Sequence, residues 1–533
     1  MHRSIPLADL SQYPRFLSDH IIRSPFSGDG ADAPLRSLDR FTVAHREALV
    51  DGVLSDLTRW NAPPAAIAAA RELGNDAAYA VVTGQQAGIA TGPLYTIYKA
   101  MGTIRAAEKL SALHPGSRFV PVFWIEGDDH DFDEARSIAL LDRGGNPAHL
   151  QYDDGDSRPL HVGDRAVGGE GIAALVESLR GILPPTDFTE EALAAVTTAY
   201  GNGVATIADG FARALYMILG NLPLVLVSSR NPALKRLAGD IFAREAADPR
   251  PLFNALAART ETLKADGVPT PITPKPGALF ITHEGERRSL DPVDGGYDIR
   301  GTGSHLSFEE AVALAHAEPG RFSPNVALRP IVQDAILPTA LYLGGPSEVA
   351  YLHQIASLYP LFGIEPSLIA PRPFVMLLEP KVRRALELAG ITLERLLAAD
   401  FSAADLLVDR ELEKALGEAG AGALDGIHAA FAGMESITRQ IDPTLEKALG
   451  SATAGASKGI EDLTKRLGSA LRKKQQTEID RLNGARGMVL PEGKLQERSL
   501  NAIYFINKYG MEKFRAALGE IGIDEDGMQV MEL

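Results

Sequence analysis

Short apolar runs of strand length alternate with helical stretches over residues 1–380. Ala77–Thr83 and Arg118–Ile125 are almost continuously apolar, which is typical of strands buried on both faces of a parallel sheet. Similar runs predict four further strands, at Leu222–Val227, Val326–Val332, Thr339–Leu343 and Phe374–Leu378. Because strands that alternate with helices form parallel sheets covered by helices, the pattern predicts a doubly wound α/β fold.

The pattern changes at Lys381, after which helix formers dominate to about Ala485. Side chains recur here every seven residues, in one row formed by Ile427, Met434, Ile441 and Ala448 and a second formed by Phe431, Thr438 and Leu445. This spacing indicates a coiled coil or helical hairpin. A proline cannot continue a helix, so we expect a break at Asp442-Pro443.

These patterns divide the chain into three predicted regions. Residues 1–380 form the core, with insertions near 140–200 and 240–320, where polar, glycine-rich and proline-rich segments interrupt the alternation. Residues 381–485 form a helical coiled-coil arm. Residues 486–533 regain aromatic side chains, and we expect them to pack back on the core.

Composition excludes several classes of protein. The 533 residues contain no cysteine, which rules out disulfide scaffolds, thiolate nucleophiles and zinc–cysteine sites. The 69 acidic and 53 basic residues give a net charge of −16, so we expect no nucleic-acid partner. No apolar run reaches the ~18 residues of a membrane helix, and the N-terminus lacks a secretory apolar core. We therefore expect a cytoplasmic protein that does not bind membranes.

The sequence predicts a glycine-rich loop after the first strand. It begins at Gly84-Gln85-Gln86 and leads to Gly92-Pro93, which predicts the start of a helix. Helix N-termini attract anions, and glycine lets the backbone approach a ligand closely. Tyr95 and Lys99 share one face of this helix, so we expect Lys99 to reach a phosphate or carboxylate. The alternative is a structural turn beside a surface lysine.

Acidic residues crowd the end of the second strand. Six acids and one histidine lie between Glu126 and Glu134, and Trp124 just before them indicates partial burial. A metal ion, a cationic substrate or acid–base chemistry would offset the repulsion, whereas a solvated acidic loop is the alternative. The spacing matches no zinc motif and favours magnesium carried by a nucleotide. Ser228 ends the third strand, and we expect it at the same sheet edge.

The apolar block 323–354 is interrupted by polar side chains, at Arg329, Gln333, Asp334, Glu348 and His353. Polar groups in a nearly buried segment need partners, which are either each other or a ligand. For His353 alone, internal partners are the better interpretation. Gly344-Gly345 precede a predicted helix that carries Glu348.

Four segments together resemble one known family. They are VVTGQQAGIATGPLYTIYKA (81–100), PVFWIEGDDHDFDEA (121–135), SPNVALRPIVQDAILPTALYLGGPSEVAY (323–351) and GKLQERSLNAIYFINKYG (493–510). In this order they are similar to the bacillithiol-biosynthesis cysteine-adding enzymes, the BshC family. The resemblance implies a Rossmann-like core with connecting-peptide insertions and a coiled-coil arm that forms a homodimer.

The resemblance also implies an enzyme, a ligase that forms a carbon–nitrogen amide bond. The expected reaction is the last step of bacillithiol synthesis, in which L-cysteine is joined to the amino group of glucosaminyl-malate. Because a free carboxylate must be activated before it forms an amide, the expected cofactors are ATP or ADP and Mg²⁺.

The motifs and strand ends supply the candidate site residues. The expected catalytic residues are Lys99, Asp128, Asp129 and His130. The expected residues that bind substrate or nucleotide are Gly84, Gln85, Gln86, Gly92, Tyr95, Trp124, Ser228, Arg329, Gln333, Asp334, Gly344, Gly345 and Glu348. Typical members of the family read Ala-x-Glu-Asp-His where this chain reads Glu126-Gly127-Asp128-Asp129-His130, and no residue is expected to be a permanent metal ligand.

Two other functions also fit the residues. One is a metal-dependent hydrolase, such as a deacylase, that uses the acidic segment Glu126–Asp133. The other is a non-catalytic adaptor that binds a partner through its coiled-coil arm. Polar groups gathered at several strand ends favour the enzyme.

Overall fold

The computed structural model of the protein describes residues 3–7, 10, 26, 35–201, 203–407, 410–523 and 527–533. Contacts divide the chain into two compact units: the first comprises residues 1–379 and 488–533, and the second residues 380–487. No helix among these described residues combines the length and apolar character needed to cross a membrane.

The strands of the first unit form a central parallel sheet and three antiparallel or mixed sheets. They are β1 (Arg3–Pro6), β2 (Ala78–Gln86), β3 (Arg118–Glu126), β4 (Ser137–Leu141), β5 (Pro147–Gln151), β6 (Val225–Ser228), β7 (Leu279–His283), β8 (Glu286–Val293), β9 (Gly296–Ile299), β10 (Ser304–Ser307), β11 (Phe322–Pro324), β12 (Thr339–Gly344), β13 (Leu368–Pro371), β14 (Phe374–Leu378) and β15 (Gly527–Glu532).

Helices surround these sheets and make up the second unit. They are α1 (Val43–Arg59), α2 (Pro64–Glu72), α3 (Tyr95–Leu113), α4 (Phe132–Ala135), α5 (Gly169–Ile182), α6 (Thr189–Ala199), α7 (Ile207–Leu219), α8 (Pro232–Arg236), α9 (Gly239–Ala247), α10 (Arg250–Ala265), α11 (Phe308–Ala317), α12 (Arg329–Ile336), α13 (Pro346–Ile355), α14 (Pro380–Ala389), α15 (Leu393–Leu397), α16 (Ala403–Leu407), α17 (Arg410–Ile441), α18 (Glu446–Val489), α19 (Gln496–Ser499), α20 (Ala502–Tyr509) and α21 (Met511–Gly519).

The central sheet holds five parallel strands in the order β13-β12-β2-β3-β6. β2 and β3 pair along their whole length, from Ala78 opposite Arg118 to Gln86 opposite Glu126. Their apolar side chains are buried, as the continuous apolar runs predict. The predicted α/β fold class with a parallel sheet is therefore confirmed.

The winding of the sheet reverses at β2. From β2 the chain passes through α3 to β3 and then to β6 on one side, whereas β12 and β13 lie on the other side. In open α/β sheets, ligands bind at the carboxyl ends of the strands beside such a switch point. The ends of β2, β3 and β12 therefore mark the place where a site is expected.

Two predicted strands differ from the observed elements. Val326–Val332 is wrong as a strand, because α12 begins at Arg329 and Asn325 accepts the amide N–H groups of Ala327 and Leu328. An apolar run of this length does not distinguish a strand from a buried helix. Phe374–Leu378 is a strand, but it pairs with β15 instead of joining the central sheet.

The two predicted insertion regions carry structure of their own. A hairpin of β4 and β5 precedes α5 and α6 in the first region. In the second region, β7 to β10 form a five-stranded sheet with β11, which follows directly, in the order β10-β9-β8-β7-β11. β1, β15 and β14 form a third small sheet, which ties the C-terminal segment into the first unit.

Two long helices, α17 and α18, dominate the second unit. They are separated by a 3₁₀ turn at Pro443–Leu445, so the break predicted at Asp442-Pro443 is confirmed. The small-residue stretch 450–459 nevertheless stays helical.

Candidate functional site

A cavity of about 280 Å³ lies at the switch point, at the carboxyl ends of β2, β3 and β12. The helices α3, α12 and α13 begin beside it, and the positive dipole ends of these helices favour an anion there. The cavity is lined by Gly84, Gln85, Gln86, Tyr95, Lys99, Trp124, Glu126, Arg329, Tyr342, Gly345, Pro346, Ser347, Glu348, Tyr351, Arg372 and Arg498.

The Lys99 side chain connects the structural elements that form this cavity. Its side chain is only 2% exposed, and its ammonium donates to the backbone oxygen of Gly84 (2.7 Å) and to Gln85 Oε1 (3.0 Å). The same ammonium forms an ion pair with Glu348. An ammonium has three protons, so these three acceptors fully occupy it. Lys99 therefore positions the end of β2 and the first turn of α13. Burial of the ammonium lowers the pKa of Lys99.

Glu348 completes this arrangement from the other side. Its carboxylate accepts the N–H of Gly345 (2.8 Å), which caps α13, and the hydroxyl of Tyr342 (2.9 Å). Burial opposes the charged form, but Lys99 and these donors outweigh it, so the pKa of Glu348 is lowered. The Lys99–Glu348 pair is thus an ionised, hydrogen-bonded unit.

Glu126 is a second carboxylate at the cavity, at the last position of β3. It accepts hydrogen bonds from the Asp128 N–H (2.8 Å), the Trp124 indole (3.1 Å) and the Ser229 hydroxyl (3.1 Å). Burial and the neighbouring charge of Asp128 nevertheless raise its pKa. A fixed carboxylate with a raised pKa is suited to accept a proton during a reaction.

Arginines supply most of the positive charge at the cavity. Arg329 donates to Gln333 Oε1 (3.1 Å) and to the Tyr351 hydroxyl (2.8 Å). Arg372 forms a buried two-pronged ion pair with Glu497, at 2.6 and 2.9 Å, and its guanidinium lies 5.3 Å from the centre of the Tyr95 ring.

The balance of charge favours an anionic ligand. Four cationic side chains line the cavity, Lys99, Arg329, Arg372 and Arg498. Glu348 neutralises Lys99 and Glu497 neutralises Arg372, so Arg329 and Arg498 supply the positive charge in excess over Glu126. This local excess contrasts with the net charge of −16 for the whole chain. Arginine binds carboxylate and phosphate groups well because its planar donors match their geometry.

The predicted site residues divide into two groups. The structure brings nine of them together at the cavity: Gly84, Gln85, Gln86, Tyr95, Lys99, Trp124, Arg329, Gly345 and Glu348. Gln85 and Gln86 end β2 instead of forming a loop, because their backbone pairs with Ile125 and Glu126. The other eight are not among its lining residues: Gly92, Asp128, Asp129, His130, Ser228, Gln333, Asp334 and Gly344.

Asp128 turns away from the cavity into a buried charged network. Its Oδ1 accepts from Lys235 (2.7 Å) and Arg230 (2.9 Å), and its backbone oxygen lies 2.8 Å from His161 Nδ1. Burial alone would raise its pKa, but the two cations outweigh burial and lower the pKa to about 2. Burial and Arg230 also lower the pKa of His161 to about 4, so this imidazole is neutral at pH 7.

Asp129 and His130 lie beside Arg287 from β8, with about half of each side chain exposed. The His130 Nδ1 is 3.0 Å from the Arg287 guanidinium, which in the neutral imidazole makes that nitrogen the acceptor. The catalytic roles assigned to these two residues stay predictions.

The remaining predicted residues support the site from behind or beside it. Ser228 accepts the N–H of Arg230, Gln333 connects Arg329 to Asp334, and Asp334 accepts the hydroxyl of Tyr359. Gly344 lies behind Glu348, where an added Cβ would come within 2.9 Å of the Glu348 Cβ. Gly92 lines a neighbouring cavity.

The described residues contain no group of three or more His, Asp or Glu side chains arranged to hold a metal ion. In the acidic segment, Asp128 is paired with cations, and Glu126 with hydrogen-bond donors. This arrangement gives no support to the predicted alternative of a hydrolase whose metal is held by the acidic segment.

Comparison with known proteins identifies the family. The N-terminal Rossmann-like domain of bacillithiol biosynthesis BshC matches residues 31–373, and the BshC C-terminal coiled-coil domain matches residues 375–533. This chain belongs to the BshC family. The Rossmann-like core and coiled-coil domain that the sequence resemblance implies are therefore confirmed.

Curated BshC relatives align over most of the chain. A protein from Salinibacter ruber named "Putative cysteine ligase BshC" is 32% identical and covers 95% of this chain and 94% of its own length. Proteins of the same name from Chlorobaculum tepidum and Symbiobacterium thermophilum are 32% and 31% identical. They cover 87% and 89% of this chain, and 84% and 88% of their own lengths.

Seven lining residues of this BshC cavity were not among the predicted site residues: Glu126, Tyr342, Pro346, Ser347, Tyr351, Arg372 and Arg498. A signal existed for most of them. Glu126, Tyr342 and Tyr351 lie within the motifs that carry the family resemblance, and Arg498 lies in the C-terminal motif. Arg372 had no signal, because only the folded chain places it beside Glu497.

The Asp128 network gives a test of stability. We expect Asp128→Asn to reduce the free energy of unfolding by about 3–5 kcal/mol, because Lys235 and Arg230 would stay buried without their shared anion. The folded pKa of Asp128 lies below that of the unfolded chain. Its contribution to stability is therefore present above about pH 4 and lost as the pH falls towards 2.

Chemical denaturation of the wild-type protein and both Asp variants at pH 7 measures this effect. The control is Asp133→Asn, in the same acidic segment, whose side chain is 80% exposed and should contribute less than about 1 kcal/mol. Equal stability of Asp128→Asn and Asp133→Asn would contradict the structural role of the network.

Proposed function

We propose that this protein is a cysteine ligase that joins the carboxyl group of L-cysteine to the amino group of glucosaminyl-malate. The observation that carries the proposal is the arginine-lined cavity at the switch point, in a chain whose family relatives are named cysteine ligases. The excess of positive charge suits a substrate carboxylate, and Glu126 suits the proton transfer that amide formation requires.

Amide formation from a free carboxylate needs an activating group, which we propose comes from ATP with Mg²⁺. When bound, the nucleotide supplies a phosphorus electrophile that makes the carboxyl oxygen a leaving group. The residues fit such a ligand, because Arg329 and Arg498 line one cavity beside the positive ends of three helices.

Different residues of the chain bind the carboxylate, stabilise the developing charge and accept the proton. Arg329 holds the carboxylate, and the positive dipole end of α13 stabilises negative charge that develops on its oxygen. Glu126 accepts a proton from the attacking amine. Lys99 and Glu348 touch neither group in this scheme, because they fix the strand end and helix start on which the cavity is built.

Mass spectrometry of the reaction mixture tests the proposed function. The purified protein is incubated with glucosaminyl-malate, L-cysteine, Mg²⁺ and ATP, and each component is omitted in turn. We expect a product at the mass of bacillithiol only in the complete mixture, together with AMP or ADP. A complete mixture that yields no such product from folded protein would refute the proposal.

The raised pKa of Glu126 leads to a second test. A general base must be deprotonated, so we expect turnover to rise with pH through a pKa above the ordinary glutamate value of 4.5. Glu126→Gln should lower kcat by about 10²-fold or more and remove this acid limb. The matched control, Glu108→Gln, alters an exposed glutamate on α3 and should leave the profile unchanged.

We also propose that the arm forms a homodimer. Met434, Ile437 and Ile441 on α17 follow three-four spacing and are 52%, 55% and 75% exposed, which a monomer would leave in water. Combining Ile437→Glu with Ile441→Glu should convert a dimer to a monomer in sedimentation-velocity experiments. Glu435→Gln on the same helix should stay dimeric, and a double variant that also stays dimeric would contradict this interface.

A further inference from the structure

Two tyrosines at the candidate-site cavity accept hydrogen bonds through their hydroxyl oxygens. The first, Tyr351, lies on α13, and its oxygen is 2.8 Å from a nitrogen of the Arg329 guanidinium. Because an arginine has no acceptor atom, Arg329 donates and the Tyr351 oxygen accepts. The hydroxyl proton of Tyr351 is therefore not used in this contact.

The direction of the hydrogen bond at the second tyrosine, Tyr95, follows from Lys99. The Lys99 ammonium can only donate, so the Gln85 amide turns its oxygen towards Lys99, at 3.0 Å. The Gln85 amide nitrogen then faces the Tyr95 oxygen, at 3.2 Å, and donates to it. Tyr95 is thus an acceptor in this contact, and its own hydroxyl proton stays available.

The third tyrosine of the cavity wall, Tyr342, uses its proton inside the protein. Its hydroxyl donates to the Glu348 carboxylate at 2.9 Å, because an ionised carboxylate can only accept. Within the described part of the chain, the hydroxyls of Tyr95 and Tyr351 have no such acceptor. Both side chains line the cavity and are partly exposed, so their protons are left for a bound molecule.

The surroundings make both hydroxyls strong hydrogen-bond donors. Each tyrosine oxygen accepts from a chain of donors that begins at a cation, either Arg329 directly or Lys99 through Gln85. A hydroxyl that accepts such a hydrogen bond is polarised and donates more strongly. Burial raises the pKa of Tyr95 to about 12 and also raises the pKa of Tyr351, so both hydroxyls keep their protons at pH 7.

These donors match a negatively charged oxygen. Hydrogen bonds to a charged acceptor contribute more free energy than those between neutral groups. Arg329 donates one N–H to Gln333 and one to Tyr351, and its other N–H groups suit the substrate carboxylate. A carboxylate held by Arg329 lies next to the Tyr351 hydroxyl, because both contact the same guanidinium.

We propose that Tyr95 and Tyr351 are catalytic residues whose hydroxyl groups donate hydrogen bonds to the carboxylate of L-cysteine in the candidate-site cavity. They bind this carboxylate together with Arg329, and neither tyrosine gives up its proton. The inference rests on the proposed ligase function. It distinguishes these two tyrosines from Tyr342, whose hydroxyl supports Glu348 instead.

Replacing each tyrosine by phenylalanine removes the hydroxyl and keeps the ring. The control is Tyr297→Phe, which removes a buried hydroxyl that donates to the backbone oxygen of Glu245 at 3.1 Å. Steady-state kinetics with L-cysteine, glucosaminyl-malate and ATP, and calorimetric titration with L-cysteine alone, are measured on the full-length wild type and the three variants. Thermal unfolding shows that each variant is folded.

We expect Tyr95→Phe and Tyr351→Phe each to raise the KM and the Kd for L-cysteine about tenfold, the usual effect of losing one hydrogen bond to a charged group. The KM for glucosaminyl-malate should stay unchanged in both variants, as should every constant of Tyr297→Phe. A rise in the KM for glucosaminyl-malate alone would overturn the assignment to the cysteine carboxylate.

A second substitution separates donation to the ligand from support of Arg329. Replacing Tyr351 by 3-fluorotyrosine makes the phenol more acidic, so its hydroxyl donates a hydrogen bond more strongly and accepts one more weakly. We therefore expect a Kd for L-cysteine equal to or below that of the wild type. A Kd raised towards that of Tyr351→Phe would mean that Tyr351 acts only as an acceptor for Arg329, which contradicts the proposal.

The kinetic and binding measurements separate this inference from the proposed function. If the wild type forms product and both phenylalanine variants keep its KM and Kd for L-cysteine, the inference is wrong and the ligase stands. If the wild type forms no product but binds L-cysteine more tightly than both variants, the two tyrosines bind this carboxylate and the ligase function fails. If the wild type neither turns over nor binds L-cysteine, both are refuted.

Discussion

The buried ammonium of Lys99 is the contact on which the site depends. A lysine removed from water is costly unless its charge and all three protons find partners. Here the partners come from the end of β2 and from Glu348 in the first turn of α13. Because Glu348 also caps α13 through the Gly345 N–H, one ion pair fixes the strand end and the helix start together. The cavity is the space that these fixed elements leave between them.

Apolar runs and the position of a proline in the sequence correctly predicted several strands and the break in the helical arm. The continuous apolar runs of β2 and β3 are buried on both faces, and Pro443 interrupts the arm because no proline can continue a helix. Val326–Val332 misled the prediction, since its apolar residues suit a buried helix as well as a strand. The sequence predicted a loop at Gln85 and Gln86, whereas backbone pairing with β3 extends β2 through both residues. For the site, residue type drew attention to Lys99, yet only the tertiary contacts show that its protons are already occupied.

The C-terminal segment contributes residues that complete the candidate site at the edge of the central sheet. Glu497 orients Arg372 at the candidate-site cavity, and Asn501 fixes the backbone at Gly92. Arg498 lies between Glu497 and Asn501 in sequence and lines both this cavity and the neighbouring one. β15 anchors the same segment by pairing with β1 and β14. The residues that assemble this site are more than 400 positions apart, so the site is complete only when the whole first unit has folded. For this reason the sequence alone does not show which residues the motif at 493–510 contacts.

The acidic segment after β3 shows how environment assigns different roles to neighbouring carboxylates. Asp128 faces Lys235 and Arg230, which keep it ionised down to about pH 2. Its constant negative charge in turn disfavours ionisation of Glu126 and helps to raise the pKa of that residue. Two acids whose environments move their pKa values apart are the usual arrangement for proton transfer at neutral pH. The pairing of Asp128 with Lys235 and Arg230 therefore offsets part of the repulsion between Glu126 and Asp128 that the sequence predicts. The cations neutralise Asp128, and Glu126 stays at the cavity as the group that is able to take up a proton.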